Sequence, residues 1–170
     1  MSSDPIVKFY RGEGPDSQGR RIEEIWQLKK SQLENANEDI EWLFPLTDGT
    51  RTEDEEPIVR AETVEAFAAD ASLRERLRHS LDVMLSFYGL TRDDGTIARG
   101  ETFESRRLGW LYPDDPNHRR LSRIVRSLAL LGEPELAESL RDELVAIADD
   151  YGAHSVSRET RTYWARALEM

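Results

Sequence analysis

Ser72-Leu73-Arg74-Glu75-Arg76-Leu77-Arg78-His79-Ser80-Leu81-Asp82-Val83-Met84-Leu85-Ser86-Phe87-Tyr88-Gly89 is the run that decides the fold class. Leu73, Leu77, Leu81, Met84, Leu85 and Tyr88 step at three and four residues, the spacing that lines one face of an α-helix. Ser72 and Glu75 have the spacing of a capping box, and Gly89 stands where a helix ends in a left-handed residue. The same grammar recurs along the chain. Leu121, Ile124, Val125, Leu128 and Leu131 form a stripe opened by Asp115-Pro116 and closed by Gly132. Leu136, Leu140, Leu144, Ile147 and Tyr151 form another between Pro134 and Gly152. Ser157 caps a last helix carrying Tyr163, Trp164, Ala167 and Leu168. Shorter helices are expected from Arg21 to Lys30, from Asn35 to Leu43, after Thr63, and from Phe103 to Leu111 with Thr102 as cap. No β alternation stands out. The expectation is an all-α fold, one domain over residues 1–170, with about seven helices around one core.

Composition limits what such a domain does. The chain has 170 residues, 34% of them charged, and a formal net charge of −11. That charge argues against nonspecific binding to nucleic acid or to an anionic membrane surface, both of which need a positive field. Without cysteine there are no disulfides, no thiolate nucleophile and no cysteine-ligated zinc. The N-terminal Met1-Ser2-Ser3-Asp4-Pro5 lacks the basic and apolar regions of a signal peptide, and no apolar run approaches the ~18 residues of a membrane span. A cytoplasmic location is expected. Residues 47–60, with Asp48-Gly49 and Glu53-Asp54-Glu55-Glu56, read as a flexible acidic loop.

The strongest polar feature is cationic. Arg119, Arg120, Arg123 and Arg126 crowd one predicted helix. Arg120, Arg123 and Arg126 are spaced by three and form a slowly drifting row, with Arg119 about 100° from Arg120 around the axis. Guanidinium rows recognise carboxylates and phosphates; they also pair with a protein's own acids, and 34 acidic residues are present here. His79, His118 and His154 have no zinc-binding spacing, and no metal site is expected. Ser, His and Asp are present without a nucleophile elbow, Gly12-Glu13-Gly14 is not a phosphate loop, and the acidic run lacks the alternation of a calcium loop. No catalytic set and no cofactor site emerges.

A second stretch, Ile40-Glu41-Trp42-Leu43-Phe44-Pro45-Leu46, reads as a core anchor that ends a helix at its proline. It resembles the Trp-Leu-Phe-Pro motif of the opioid growth factor receptor conserved region. Phe9-Tyr10-Arg11 resembles that family's N-terminal Phe-Tyr-Arg, Ile22-Glu23-Glu24 its Ile-Glu-Glu, Met84 to Gly89 its Met-Leu-x-Phe-(Phe/Tyr)-Gly, and Ala98-Arg99 the following Ala-Arg. Asn117-His118-Arg119-Arg120-Leu121-Ser122-Arg123-Ile124 is similar to Asn-x-x-Arg-(Ile/Leu)-(Ser/Thr)-Arg-Ile. The matches span about residues 9–168. Asn37-Glu38-Asp39 and Glu41 depart from the family pattern, and high arginine with only Lys8, Lys29 and Lys30 looks like a bacterial relative.

The resemblance implies a receptor for enkephalin-type opioid growth factor, membrane- or nucleus-associated in animals, and no enzymatic activity. Phe9, Tyr10, Arg11, Trp42, Phe44 and Pro45 are then structural motif residues. Arg99, Asn117, Arg120 and Arg123 are the candidate ligand-binding residues, for an acidic peptide, a protein or a small anionic ligand. Two other readings stay open: an enzyme whose arginines position a phosphorylated or carboxylated metabolite, and an oligomerising domain that forms a homodimer.

Overall fold

Asp4 caps the first helix. In the computed structural model its buried carboxylate accepts from the Ile6 and Val7 N–H groups at 2.9 and 3.1 Å, and so caps α1 (Pro5–Tyr10). Its other oxygen takes the Thr63 hydroxyl at 2.6 Å, tying α1 to α5 (Ala61–Ala69). The structure describes residues 4–34, 37–48 and 57–169. Among them it is predominantly helical, with ten α-helices and one two-stranded hairpin.

The chain divides into two compact units. The first comprises Met1–Val83 with Leu130–Gly132. Here the helix expected from Arg21 to Lys30 is broken into α2 (Ile22–Trp26) and α3 (Lys30–Glu34). Lys29 N–H donates to the Gln32 side chain at 2.8 Å, which starts α3 afresh. Next, α4 (Asn37–Leu43) ends ahead of Pro45. Val59 N–H donates to the Leu46 carbonyl at 2.8 Å, closing the base of the loop whose acidic run, Glu53 to Glu56, lies outside the described residues.

The motif residues of this unit are its core. Phe9 packs on Trp42 at 5.2 Å between ring centroids, Tyr10 meets Phe67 edge-on at 5.4 Å, and Phe44 and Pro45 are buried. Arg11 pairs with Asp70 at 3.2 Å. Asp70 also caps α6 (Ala71–Tyr88), accepting from the Ser72 N–H at 2.9 Å. The cap is therefore Asp70, and the Ser72–Glu75 spacing is not used as a capping box.

The second unit comprises Met84–Ala129 and Glu133–Met170. The final turn of α6 leads into a hairpin that the sequence did not announce. Strands β1 (Leu90–Asp93) and β2 (Thr96–Arg99) pair antiparallel, with Leu90 opposite Arg99, around the turn Asp94-Gly95. Only Leu90 and Ile97 of these strands are buried, too few to write an alternation. The expected helix from Phe103 to Leu111 is a short α7 (Phe103–Arg106) followed by a 3-10 turn, Arg107–Gly109. Thr102 makes no side-chain cap. Then come α8 (Pro116–Leu130), α9 (Pro134–Tyr151) and α10 (Arg158–Ala165), close to their expected bounds. No helix among the described residues is long and apolar enough to cross a membrane.

Candidate functional site

Asp115 sets the direction of α8. Its carboxylate accepts from the Asn117 N–H at 3.0 Å and its carbonyl from the His118 N–H at 3.0 Å, with Pro116 at the first helical position. Leu121, Ile124, Val125 and Leu128 then turn inward, all essentially buried. At about 100° per residue, Arg119, Arg123 and Arg126 fall within about 60° of one another and opposite that apolar stripe. Arg119 is exposed, whereas Arg123 and Arg126 are half-buried. Arg119 has no ion pair with any described residue, while Arg123 and Arg126 carry interactions of their own.

The four expected binding residues do not share one surface. Asn117 is fully buried, its carboxamide oxygen accepting from the Tyr88 hydroxyl at 2.9 Å and from the Arg120 guanidinium at 3.1 Å. Arg120 is only 8% exposed, turned in from the row on which it was placed. Arg99 lies on β2, where its guanidinium bonds Glu143 at 2.8 Å and Asp150 at 2.6 Å and lies over the Phe103 ring. The structure thus joins Asn117 to Arg120, commits Arg99 to two carboxylates of α9, and leaves Arg123 on the outer stripe. The outward residue that sequence reasoning passed over is Arg119. The apolar stripe carried the signal, because the face opposite it runs through Arg119.

Beneath the N-terminal turn of α8 is a histidine in an aromatic cage. His118 is 3% exposed, with Trp110 at 6.2 Å and Trp164 at 5.2 Å between ring centroids. Its Nε2 lies 2.9 Å from the Trp110 carbonyl, which can only accept, so Nε2 carries the proton. Nδ1 has no partner. Burial pushes the imidazole below its ordinary pKa, with the Trp110 carbonyl, Asp115 and Asp114 pulling the other way. The Trp164 indole N–H donates to the His118 carbonyl at 2.9 Å, fixing α10 to the same turn.

The segment ahead of α8 is a one-turn knuckle. Leu111 N–H bonds the Arg107 carbonyl at 2.8 Å, and Asp115 N–H bonds the Tyr112 carbonyl at 3.3 Å. Trp110 and Leu111 point in, whereas Leu108 and Tyr112 are 71% and 48% exposed. A separate open groove of about 640 Å³ runs along α10, lined by Arg158, Glu159, Thr162, Tyr163, Arg166 and Glu169, and includes none of the four expected binding residues. Among the described residues no group of acids and histidines is arranged to hold a metal ion.

Comparison with known proteins places this architecture. The family model of the opioid growth factor receptor conserved region matches residues 5–148, from α1 to most of α9. The chain belongs to this family. It is 34% identical over 139 residues to the human opioid growth factor receptor, covering 75% of this chain and 20% of the relative. The mouse opioid growth factor receptor is 34% identical over 135 residues, covering 74% of this chain and 21% of the relative. The mouse opioid growth factor receptor-like protein 1 is 29% identical over 145 residues, covering 82% and 30%. The chain thus spans about a fifth of the length of the receptors it matches. No solved structure matches it significantly. Within this conserved region, the Asn-x-x-Arg motif is the buried Asn117–Arg120 pair and the outer arginines sit beside it.

Proposed function

We propose that this conserved-region domain is a non-enzymatic binding module that recognises an acidic peptide or protein segment through the outer face of α8. The observation that carries the reading is Arg119, an exposed guanidinium with no ion pair to any described residue in a protein of net charge −11. In so acidic a chain an unneutralised arginine is where an external anion gains most, and Arg123 and Arg126 extend the same stripe. Asn117 and Arg120 act beneath that surface. The Tyr88 hydroxyl and the Arg120 guanidinium both donate to the Asn117 carboxamide oxygen and hold the first turns of α8 rigid, so the outer side chains are presented from a fixed backbone. The relatives are named receptors for opioid growth factor, and recognition of a peptide is compatible with that name.

The test is calorimetric titration of a glutamate-rich peptide into the protein and into Arg119→Glu, at two salt concentrations. Each exposed ion pair contributes roughly 0.2–1 kcal/mol, and reversal replaces attraction by repulsion, so affinity should fall about tenfold at low salt and less at high salt. Equal affinity for both proteins would remove α8 from the reading.

A further inference from the structure

α10 and the 3-10 turn that follows it, Ala167–Glu169, turn one face inward and one outward. Trp164 and Ala167 are buried, whereas Arg158, Glu159, Thr162, Tyr163, Arg166 and Glu169 are exposed and line the open groove of about 640 Å³. Steps of four, four and three residues keep Arg158, Thr162, Arg166 and Glu169 on one ridge, with Glu159 and Tyr163 beside it.

The charges on this face are ordered. Arg158 and Glu159 stand at its start, Arg166 and Glu169 at its end, and Tyr163, 42% exposed, between them. Neither Arg158 nor Glu159 has an ion pair with any described residue. Arg166 and Glu169 pair at 3.2 Å with side chains 70% and 65% exposed, a setting in which a pair contributes little. An acidic partner would meet Glu159 and Glu169, and a basic one Arg158 and Arg166. Laid antiparallel on itself, the face matches. A two-fold axis passing between Thr162 and Tyr163 sets Glu159 level with Arg166 of the second copy, and Tyr163 level with its Thr162. Arg158 and Glu169 then stand two residues, about 3 Å, off level, within reach of side chains of that length. The face is also neutral in a chain of net charge −11, so a second copy meets no net repulsion there. We infer that a second copy of this chain docks on α10, antiparallel to it about a two-fold axis beside Tyr163. Helices this short bury less than a standard interface, so the dimer is weak, with a dissociation constant of roughly 0.1 mM. None of these residues belongs to the α8 stripe, and the inference stands apart from the proposed function.

Sedimentation equilibrium of the full chain tests it at fixed ionic strength. Between about 10 µM and about 1 mM the weight-average mass should rise from that of one chain toward that of two. Arg158→Glu/Arg166→Glu makes the face wholly acidic, and Glu159→Arg/Glu169→Arg makes it wholly basic. Each variant alone should stay monomeric over this range, and an equimolar mixture of the two should dimerise at least as tightly as the native chain. All four positions are exposed, and circular dichroism checks that both variants are folded; the series on the native chain stands without either of them. A native chain still monomeric at the highest concentration, a dimer that survives in either variant, or a mixture of folded variants that fails to associate overturns the inference.

Discussion

Replacing Tyr10 by phenylalanine removes one oxygen from the centre of the first unit and nothing else. The phenol is fully buried and lies 2.5 Å from the Leu43 carbonyl and 3.0 Å from Ser80 Oγ. A phenol has one hydrogen and a carbonyl only accepts, so Tyr10 donates to Leu43 and Ser80 donates to Tyr10. Ser80 in turn accepts the Trp26 indole N–H at 2.9 Å. The result is a directed chain from α2 through α6 and α1 to the last residue of α4. Burial raises the Tyr10 pKa far above its ordinary value, with the Ser80 hydrogen bond and the Arg76 charge opposing only in part, so the donor persists at any working pH.

Phenylalanine keeps the ring contacts with Phe9 and Phe67. It strands the terminal carbonyl of α4 and the Ser80 hydroxyl hydrogen. A buried polar group left unpaired costs roughly 1–3 kcal/mol, and with two affected the expected loss is roughly 2–3 kcal/mol. For a chain of this size that is about 4–10 °C in melting temperature. Ser80→Ala strands only the half-exposed Trp26 N–H, for about 1 kcal/mol. The double variant should be more stable than the sum of the two losses implies, by about 0.5–1 kcal/mol, because no Ser80 hydroxyl remains to be stranded. Urea unfolding followed by circular dichroism measures all four proteins. A Tyr10→Phe loss below about 0.5 kcal/mol, or strict additivity with Ser80→Ala, would refute the directed chain.

Two further outcomes are expected. His118 has a folded pKa below its unfolded value near 6.5, so the stability it contributes is fully present above pH 6.5 and is lost as pH falls through the folded value. Stability measured between pH 7 and pH 5 should therefore decline on acidification, before the carboxylates titrate, and His118→Phe should flatten that slope; an unchanged slope would show that His118 titrates freely. Gly89→Ala and Gly19→Ala both place a side chain at positive φ, +83° and +80°, but only at Gly89 would the new carbon lie 2.6 Å from the Phe103 backbone. Thermal melts should show about 1–2 kcal/mol lost at Gly19 and distinctly more at Gly89; equal losses would mean the backbone around Phe103 yields.

The long helices were legible because burial wrote their apolar stripes at regular intervals and glycines at 89, 132 and 152 take positive φ. The hairpin was not, since its strands bury one side chain each. The break between α2 and α3 carries no proline or glycine, and its only mark is Gln32 reaching back to the Lys29 N–H. At α6, Asp70 and Ser72 are both good caps, and Asp70 took the role while also pairing with Arg11. For the candidate site, the helix and its arginine content were legible. The choice among arginines was not, because a spacing of three drifts around the axis. Starting that row at Arg120 starts it on a buried residue, whereas starting from the face opposite Leu121 and Val125 gives Arg119.

The most direct measurement is chemical-shift mapping of the labelled protein as the glutamate-rich peptide is added. Saturable shifts confined to Arg119, Arg123, Arg126 and their chain neighbours, weakening with salt, are expected. Shifts centred on the α10 groove around Tyr163, or none at concentrations that saturate the calorimetric titration, would contradict recognition through α8.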